Sequence, residues 1–480
     1  MSSLHVGLIT YGLDRPLTGI GRYTVELARA LVALDRELDI TLLTAGGPGP
    51  LAGPGPLAAV ALGLAMSLAI GLLSWAWARP SAVVRVLMPA PFADATADLV
   101  ADFNRSHRDV RIAVSRGPFE TDSVSDLAIS SLLLGDSPYD LLLMDVTWTA
   151  KYAAAGWLQP LDPWLGADAL EPLVSGARAG NRIDGRLYRL PLVADMGQLF
   201  WRTDLMAAPP RTPDELVAIS RRLQEQGRVR WGYVWQGRQY EGLSCVFLEL
   251  IAGFGGRWGP GEPGFGLASP AAARAAGWLQ QLLEEGISPR AVANFAEPEA
   301  LQSFEAGEAA FLRNWPYAWQ ELQRDGSAVA GKVGVTTMVA ERDAAHAATL
   351  GSWGFSLLTG SPHPQAAAEV LRELTSEASQ RRLVSRYGYT PTLAALFDDP
   401  QLVAERPLLP QLRQALEQAV LRPLNPGYAQ LSDILQRRLS GLITGRGNPA
   451  AAMARAGRES DLLLRASGQE VATGQQEAGA

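Results

Sequence analysis

The stretch FEAGEAAFLRNWPYAW at 304–319 gathers Trp315, Tyr317 and Trp319 within five residues. It reads as the end of a helix, a stop at Gly307, a short apolar strand over 308–313 and a turn into the next helix, where Pro316 suits the first turn. Rings delivered together at the end of a buried strand offer flat apolar faces to a flat, hydroxylated ligand. Trp319 falls on a different helical face from Tyr317 and is expected in the core. A second constellation, SPYDLLLMDVTW, places Asp145 at the end of an apolar run and Trp148 three residues later. Ligands of open α/β sheets bind beyond the carboxyl ends of strands, although an Asp there could equally cap the following helix. A third segment, LPLVADMGQLFWRTDL, brings Asp195 and Trp201. Asp195 could accept hydrogen bonds from hydroxyl groups and Trp201 could stack; alternatively, they are a solvent-facing Asp and a core Trp. Gly351, Ser352 and Trp353 lead into a strand at 355–358, and SRYGYTPTL sets Arg386 and Tyr389 beside a turn.

Composition narrows the chemistry. The 480 residues allow two or three domains, and 48% hydrophobic residues with 19% charged ones fit a globular protein with large cores. A net charge of −7 without a basic block argues against nucleic-acid binding. Lys151 and Lys332 are the only lysines, a bias that reads as codon usage. Cys245 is the only cysteine, so no intrachain disulfide forms. The four histidines are scattered, and neither they nor Cys245 have metal-ligand spacing. No metal or cofactor is expected.

The elements that must position these residues fall into three pieces. No charged side chain lies between Asp39 and Arg79, and residues 57–78 are continuously apolar or small. That is long enough to span a bilayer, and Ala76-Trp77-Ala78 suits signal-peptide cleavage. A signal peptide or a membrane anchor is expected there, placing the body outside the cytoplasm, as a periplasmic, secreted or anchored protein. Upstream, HVGLITYG reads as a strand, and LTGIGRYTVELARAL as a glycine loop running into an amphipathic helix. Residues 1–45 resemble the first βα unit of family-four glycosyltransferases. No donor-binding domain follows, and a lone βα unit cannot bury its own core, so a fusion remnant or a misassigned start is the better reading. Downstream, strands at 83–88, 111–115 and 140–145 alternate with helices at 94–107 and 126–134. This βαβα order implies α/β layers with a largely parallel sheet. Further helices are read at 213–226 and 271–285, and a polar, disordered tail after Gly457.

PYDLLLMDVTW, AAAGWLQPLD, DGRLYRLPLVAD, LFWRTDL, WPYAW and GSWGFSLL occur in this order. Together they resemble the family-one extracellular solute-binding proteins of carbohydrate ABC transporters, trehalose/maltose type, a resemblance that covers about 370 residues. The resemblance implies two α/β lobes joined by hinge strands, a type II periplasmic-binding-protein fold. It puts 81–194 with 338–388 in lobe 1 and 195–336 with 392–457 in lobe 2. It implies a monomer that closes on a di- or oligosaccharide and presents it to a membrane permease. Carried over by motif, its ligand contacts are Asp145, Asp195, Trp315, Tyr317, Ser352 and Trp353, with Arg386 a weaker correspondence. The chain departs from the pattern at Ser352, often a second Gly, and at Val193, where close relatives place an aromatic. It also has Asp126 near a helix position where some carry Arg.

A glycoside hydrolase acting on similar sugars would need two carboxylates flanking one bond, one with a raised pKa. Asp145 and Asp195 could mimic such a pair, but neither has an evident acid partner. A binder without catalytic residues is the favoured reading, with hydrolase and glycosyltransferase as alternatives.

Overall fold

The computed structural model describes residues 80–135 and 137–469, together with the backbone of three strands nearer the N-terminus. Two compact units are present, Met1–Ser81 with His107–Val110, and the remainder. In the first, β1 (His5–Ile9) runs parallel to β2 (Asp39–Thr44), and β2 pairs antiparallel with β3 (Gly47–Gly49). The apolar segment at 57–78 lies outside the described residues. Among those described, no helix is long and apolar enough to cross a membrane.

The described residues of the second unit hold two larger sheets and a two-stranded hairpin. The first-lobe sheet contains β4 (Ala82–Met88), β5 (Val110–Arg116), β6 (Leu141–Asp145), β9 (Leu190–Met196) and β14 (Leu350–Leu357), in the order β5-β4-β6-β14-β9. The small hairpin β7 (Arg182–Ile183) and β8 (Arg186–Leu187) turns at Asp184-Gly185 just before β9. The second-lobe sheet contains β10 (Gln198–Arg202), β11 (Trp231–Val234), β12 (Ala309–Asn314) and β13 (Val333–Thr336), ordered β11-β12-β10-β13. β4 and β6 are parallel, as are β11 and β12. β14 is antiparallel to both β6 and β9, and β10 is antiparallel to both β12 and β13. The sheets are therefore mixed rather than largely parallel. The reason is connectivity: β10 and β14 are strands of a chain that has just crossed from the other lobe, so each enters its sheet against the local direction.

The first crossing is the single residue Gly197, between β9 and β10. A Cβ there would lie 1.8 Å from Glu249 Oε1 and 2.5 Å from Arg313 Nη2, so only glycine fits. The second crossing lies between β13 and β14. The third falls later than the sequence suggests. Helices Ala394–Phe397, Pro400–Glu405 and Leu409–Glu417 follow Thr392, and the last packs on β9 and on helix Ser175–Arg178, both in the first lobe. The chain returns to the second lobe near Val420, which bridges to Thr349. The division expected at 388–392 thus misses these helices, whose buried Leu409, Leu412 and Leu416 face the first lobe.

The second-lobe core is built on the buried helix Glu241–Gly253, with Pro270–Glu284, Tyr428–Ile443 and Pro449–Ala466 packed around it. The last of these carries the chain through to Ala466, so residues 458–466 are helical, against the expected disordered tail. Met453, Ala456, Gly457, Ser460 and Leu464 form its buried stripe at helical spacing. The small residues let it approach closely: a Cβ on Gly457 would lie 3.0 Å from Ala268 Cβ. Residues 470–480 lie outside the described residues.

Candidate ligand-binding cleft

A cleft of about 590 Å³ lies between the lobes, within the size range of small-molecule sites. Its first-lobe wall is aromatic. Trp353 projects from β14, with the Phe92 ring 5.4 Å away, and Phe92 stacks on Tyr389 at 5.0 Å. The second-lobe wall carries Trp315, Tyr317 and Tyr240. Between the walls lie Asp145, Asp195, Glu241 and Arg422.

Trp315 is held from two sides. Its Nε1 donates to Glu297 Oε1 at 3.1 Å, and the Arg313 guanidinium lies 4.2 Å from its ring centroid. Glu297 also accepts from the Tyr240 hydroxyl at 2.7 Å, so one carboxylate orients two rings. Arg313 is fully buried and paired with Glu249 through Nη2–Oε1 at 2.5 Å and Nε–Oε2 at 3.0 Å. Burial opposes its charge, but Glu249 outweighs burial and keeps Arg313 protonated. Glu249 accepts from the Thr349 backbone N–H at 3.2 Å, which ties the second crossing to the same pair. Opposite Trp315, Gly351 leaves no side chain: a Cβ there would come 2.8 Å from the indole.

The two aspartates differ. Asp145 is saturated. Its Oδ1 accepts from Thr147 N at 2.9 Å and Thr147 Oγ1 at 2.7 Å, and its Oδ2 from Arg422 Nη2 at 2.7 Å. Arg422 Nη1 lies 2.7 Å from Glu241 Oε1, so Arg422 joins a first-lobe carboxylate to a second-lobe one. Glu241 also accepts from Tyr428 at 2.5 Å and Ser432 at 2.7 Å. Burial lowers the pKa of Arg422, yet Asp145, Cys245 and Glu241 together raise it well above the ordinary guanidinium value. Its Nε is buried and has no partner among the described residues. Asp195 accepts from the Thr390 backbone N–H, at 3.1 Å onto Oδ1. Burial pushes its pKa up to about 6, against the opposing pull of Thr390.

The cleft therefore brings together Asp145, Asp195, Trp315, Tyr317 and Trp353 of the sequence candidates. Four others lie elsewhere. Ser352 alternates with Gly351 and Trp353 and points to the opposite face of β14. There it accepts from Arg189 Nη2 at 2.8 Å and donates to Val193 O at 3.1 Å. Trp148 lies behind Trp353, edge-on at 5.6 Å, and lines a separate cavity of about 240 Å³. Trp201 packs on the second-lobe core against Gly334, where a Cβ would come 2.4 Å from its ring. Arg386 is exposed on the first lobe and pairs with Asp98. Trp319 packs against a second-lobe core cluster, as expected. Arg422, Glu241, Glu297, Tyr240 and Phe92 were not singled out in the sequence. Their partners lie far along the chain, 277 residues for Arg422 and Asp145.

The sequence profile of the bacterial extracellular solute-binding proteins matches residues 89–381. A "Probable ABC transporter-binding protein" of Deinococcus radiodurans is 32% identical over 349 residues, 70% of this chain and 82% of the relative. The chain belongs to the bacterial extracellular solute-binding protein family. A maltotriose-binding protein of Pyrococcus abyssi is 24% identical, covering 66% of this chain and 67% of its own length. The structure of maltose-bound T. maritima MalE3 superposes with a TM-score of 0.75 at 28% identity, over 80% of this chain and all of that one. A member of this family is a solute-binding protein of ABC transport rather than an enzyme, so the hydrolase and glycosyltransferase alternatives fall away. The profile does not reach residues 1–45, and nothing in these likenesses supports the glycosyltransferase resemblance there.

Proposed function

We propose that this solute-binding protein captures a neutral di- or oligosaccharide of the maltose or trehalose kind and presents it to a membrane permease. The observation that carries the reading is the pairing of Trp315 and Trp353, from different lobes, across a cleft that Asp195 and Arg422 also line. Rings stack on the apolar faces of a pyranose. The Asp195 carboxylate accepts from its hydroxyls. Asp145 acts one step back, holding Arg422 in place. Seven carboxylates and two arginines line the cleft, so a sugar phosphate or uronate is disfavoured.

Binding from both lobes shifts the balance between open and closed arrangements towards the closed one. Residues 57–78 would export the chain as a cleaved signal or hold it as an anchor, so that a monomer works outside the cytoplasm. Sugar titration of the detergent-solubilised full chain, by calorimetry and tryptophan fluorescence, tests the reading. Maltose, maltotriose or trehalose should bind and shift the emission, and glucose-1-phosphate should not. Flat heats across the sugar panel would overturn it.

A further inference from the structure

Two bonds that involve none of the ligand-facing atoms above join the lobes along the cleft. The first-lobe loop after β5 carries Glu120, and the second-lobe loop after β11 carries Arg238. Glu120 Oε1 and Arg238 Nη2 stand 2.9 Å apart, with side chains 46% and 33% exposed. Arg238 also lies 4.8 Å over the Tyr240 ring, which limits its rotamers. Two residues beyond Glu120, Asp122 lines the same small cavity as Glu241. Glu241 begins a second-lobe helix whose N-cap residue, Tyr240, offers no side-chain cap. At a second place, Gln320 Nε2 of the second lobe donates to the Arg386 carbonyl of the first at 2.9 Å. The first-lobe helix Glu377–Tyr387 ends there in the left-handed Gly388, φ 70°, and a Cβ on it would lie 3.1 Å from Gln320 Oε1.

We infer that Glu120–Arg238 and Gln320–Arg386 form a two-point clasp that sets how long a bound sugar stays in the cleft. The inference rests on the sugar-binding reading. A ligand bridging the walls must break its own contacts to leave, and the clasp adds a barrier that does not depend on which sugar is bound. Being partly exposed, the ion pair is screened by salt, so release is faster in high salt. The Gln320 bond is neutral and is not.

Stopped-flow release of maltose, read by tryptophan fluorescence, tests this in the full chain. Glu120→Arg and Arg238→Glu should each speed release about fivefold, on the scale of a partly exposed ion pair lost and turned repulsive. The exchanged pair E120R/R238E should return it to within about twofold, and Gln320→Ala should speed release on its own. Singles that match the wild type, or an exchange that fails to rescue, would overturn the clasp. If no sugar binds, small-angle scattering of the ligand-free chain decides separately. Each single variant should be more open than wild type and the exchanged pair as compact as wild type, and equal profiles for all four would sink the clasp whatever the ligand.

Discussion

The carboxyl ends of β6 and β12 share one plan: a buried strand, a short turn, then a helix starting at Trp148 or Ala318. They present opposite chemistry to the cleft. The first-lobe end offers a carboxylate whose oxygens are already taken by Thr147 and Arg422. The second-lobe end offers an indole face, steadied by Glu297 and Arg313 and left uncovered for a ligand. A charged residue at a strand end is thus no guarantee of a ligand contact. What matters is whether the rest of the fold supplies a counter-charge, and here Arg422 supplies it to Asp145 and withholds it from Asp195.

The largest expected effect tests that counter-charge. Arg422→Met leaves Asp145 and Glu241 buried without their cation, and should lower folding stability by about 3–5 kcal/mol. Urea denaturation reads it directly, and a variant as stable as wild type would mean that Asp145 was never neutralised by Arg422.

Next comes the contrast between the aspartates. Asp195→Asn should weaken sugar binding by about 1.5–3 kcal/mol, the scale of a hydrogen bond to a charged group, while Asp145→Asn should act mainly on stability. Calorimetric affinities beside denaturation midpoints separate the two, and equal affinity losses would erase the distinction.

The same contrast has a pH signature. Asp195 holds its proton up to about 6 in the fold, against about 3.9 unfolded. The folded state therefore binds more protons between these values, and stability from this group is full below about 4 and lost as pH rises through about 6. The size is on the order of 3 kcal/mol. A sugar hydroxyl donating to Asp195 favours the ionised form, so affinity should fall as pH drops from 7 to 5. Asp195→Asn should flatten both profiles. An unchanged slope in that variant would assign the titration elsewhere.

Smaller effects follow on the second-lobe wall. Trp315→Ala should cost about 1 kcal/mol or more of affinity, with little change on Trp201→Phe. Smallest of all, Arg386→Ala removes an exposed ion pair and should leave maltose affinity within about twofold and stability within about 1 kcal/mol. A tenfold loss of affinity there would return Arg386 to the site.

Much of the scaffold was legible. The apolar runs read at 83–88, 111–115 and 140–145 became Ala82–Met88, Val110–Arg116 and Leu141–Asp145; Leu141–Asp145, buried on both faces, is the continuous hydrophobic run such a strand requires. Sheet direction was less legible, since the pattern of one strand says nothing about the lobe the chain arrives from. Ser352 could have been placed: if Trp353 faces the cleft, strand alternation turns Ser352 away. Arg422 could not, for VLRPLNPGY reads locally as a helix end and a proline turn. Its meaning lies in two carboxylates 181 and 277 residues distant.

Gly351 carries a mechanical consequence. It belongs to the first-lobe sheet, Trp315 to the second lobe, and a single methyl at 351 would collide with the indole. The missing side chain acts as the running clearance of a bearing, the point where two moving parts pass with nothing to spare. Any variant that fills it would wedge the jaws ajar before solute arrives. Change of diet in such a chain has to come through the other surfaces of the cleft, with this pivot kept bare.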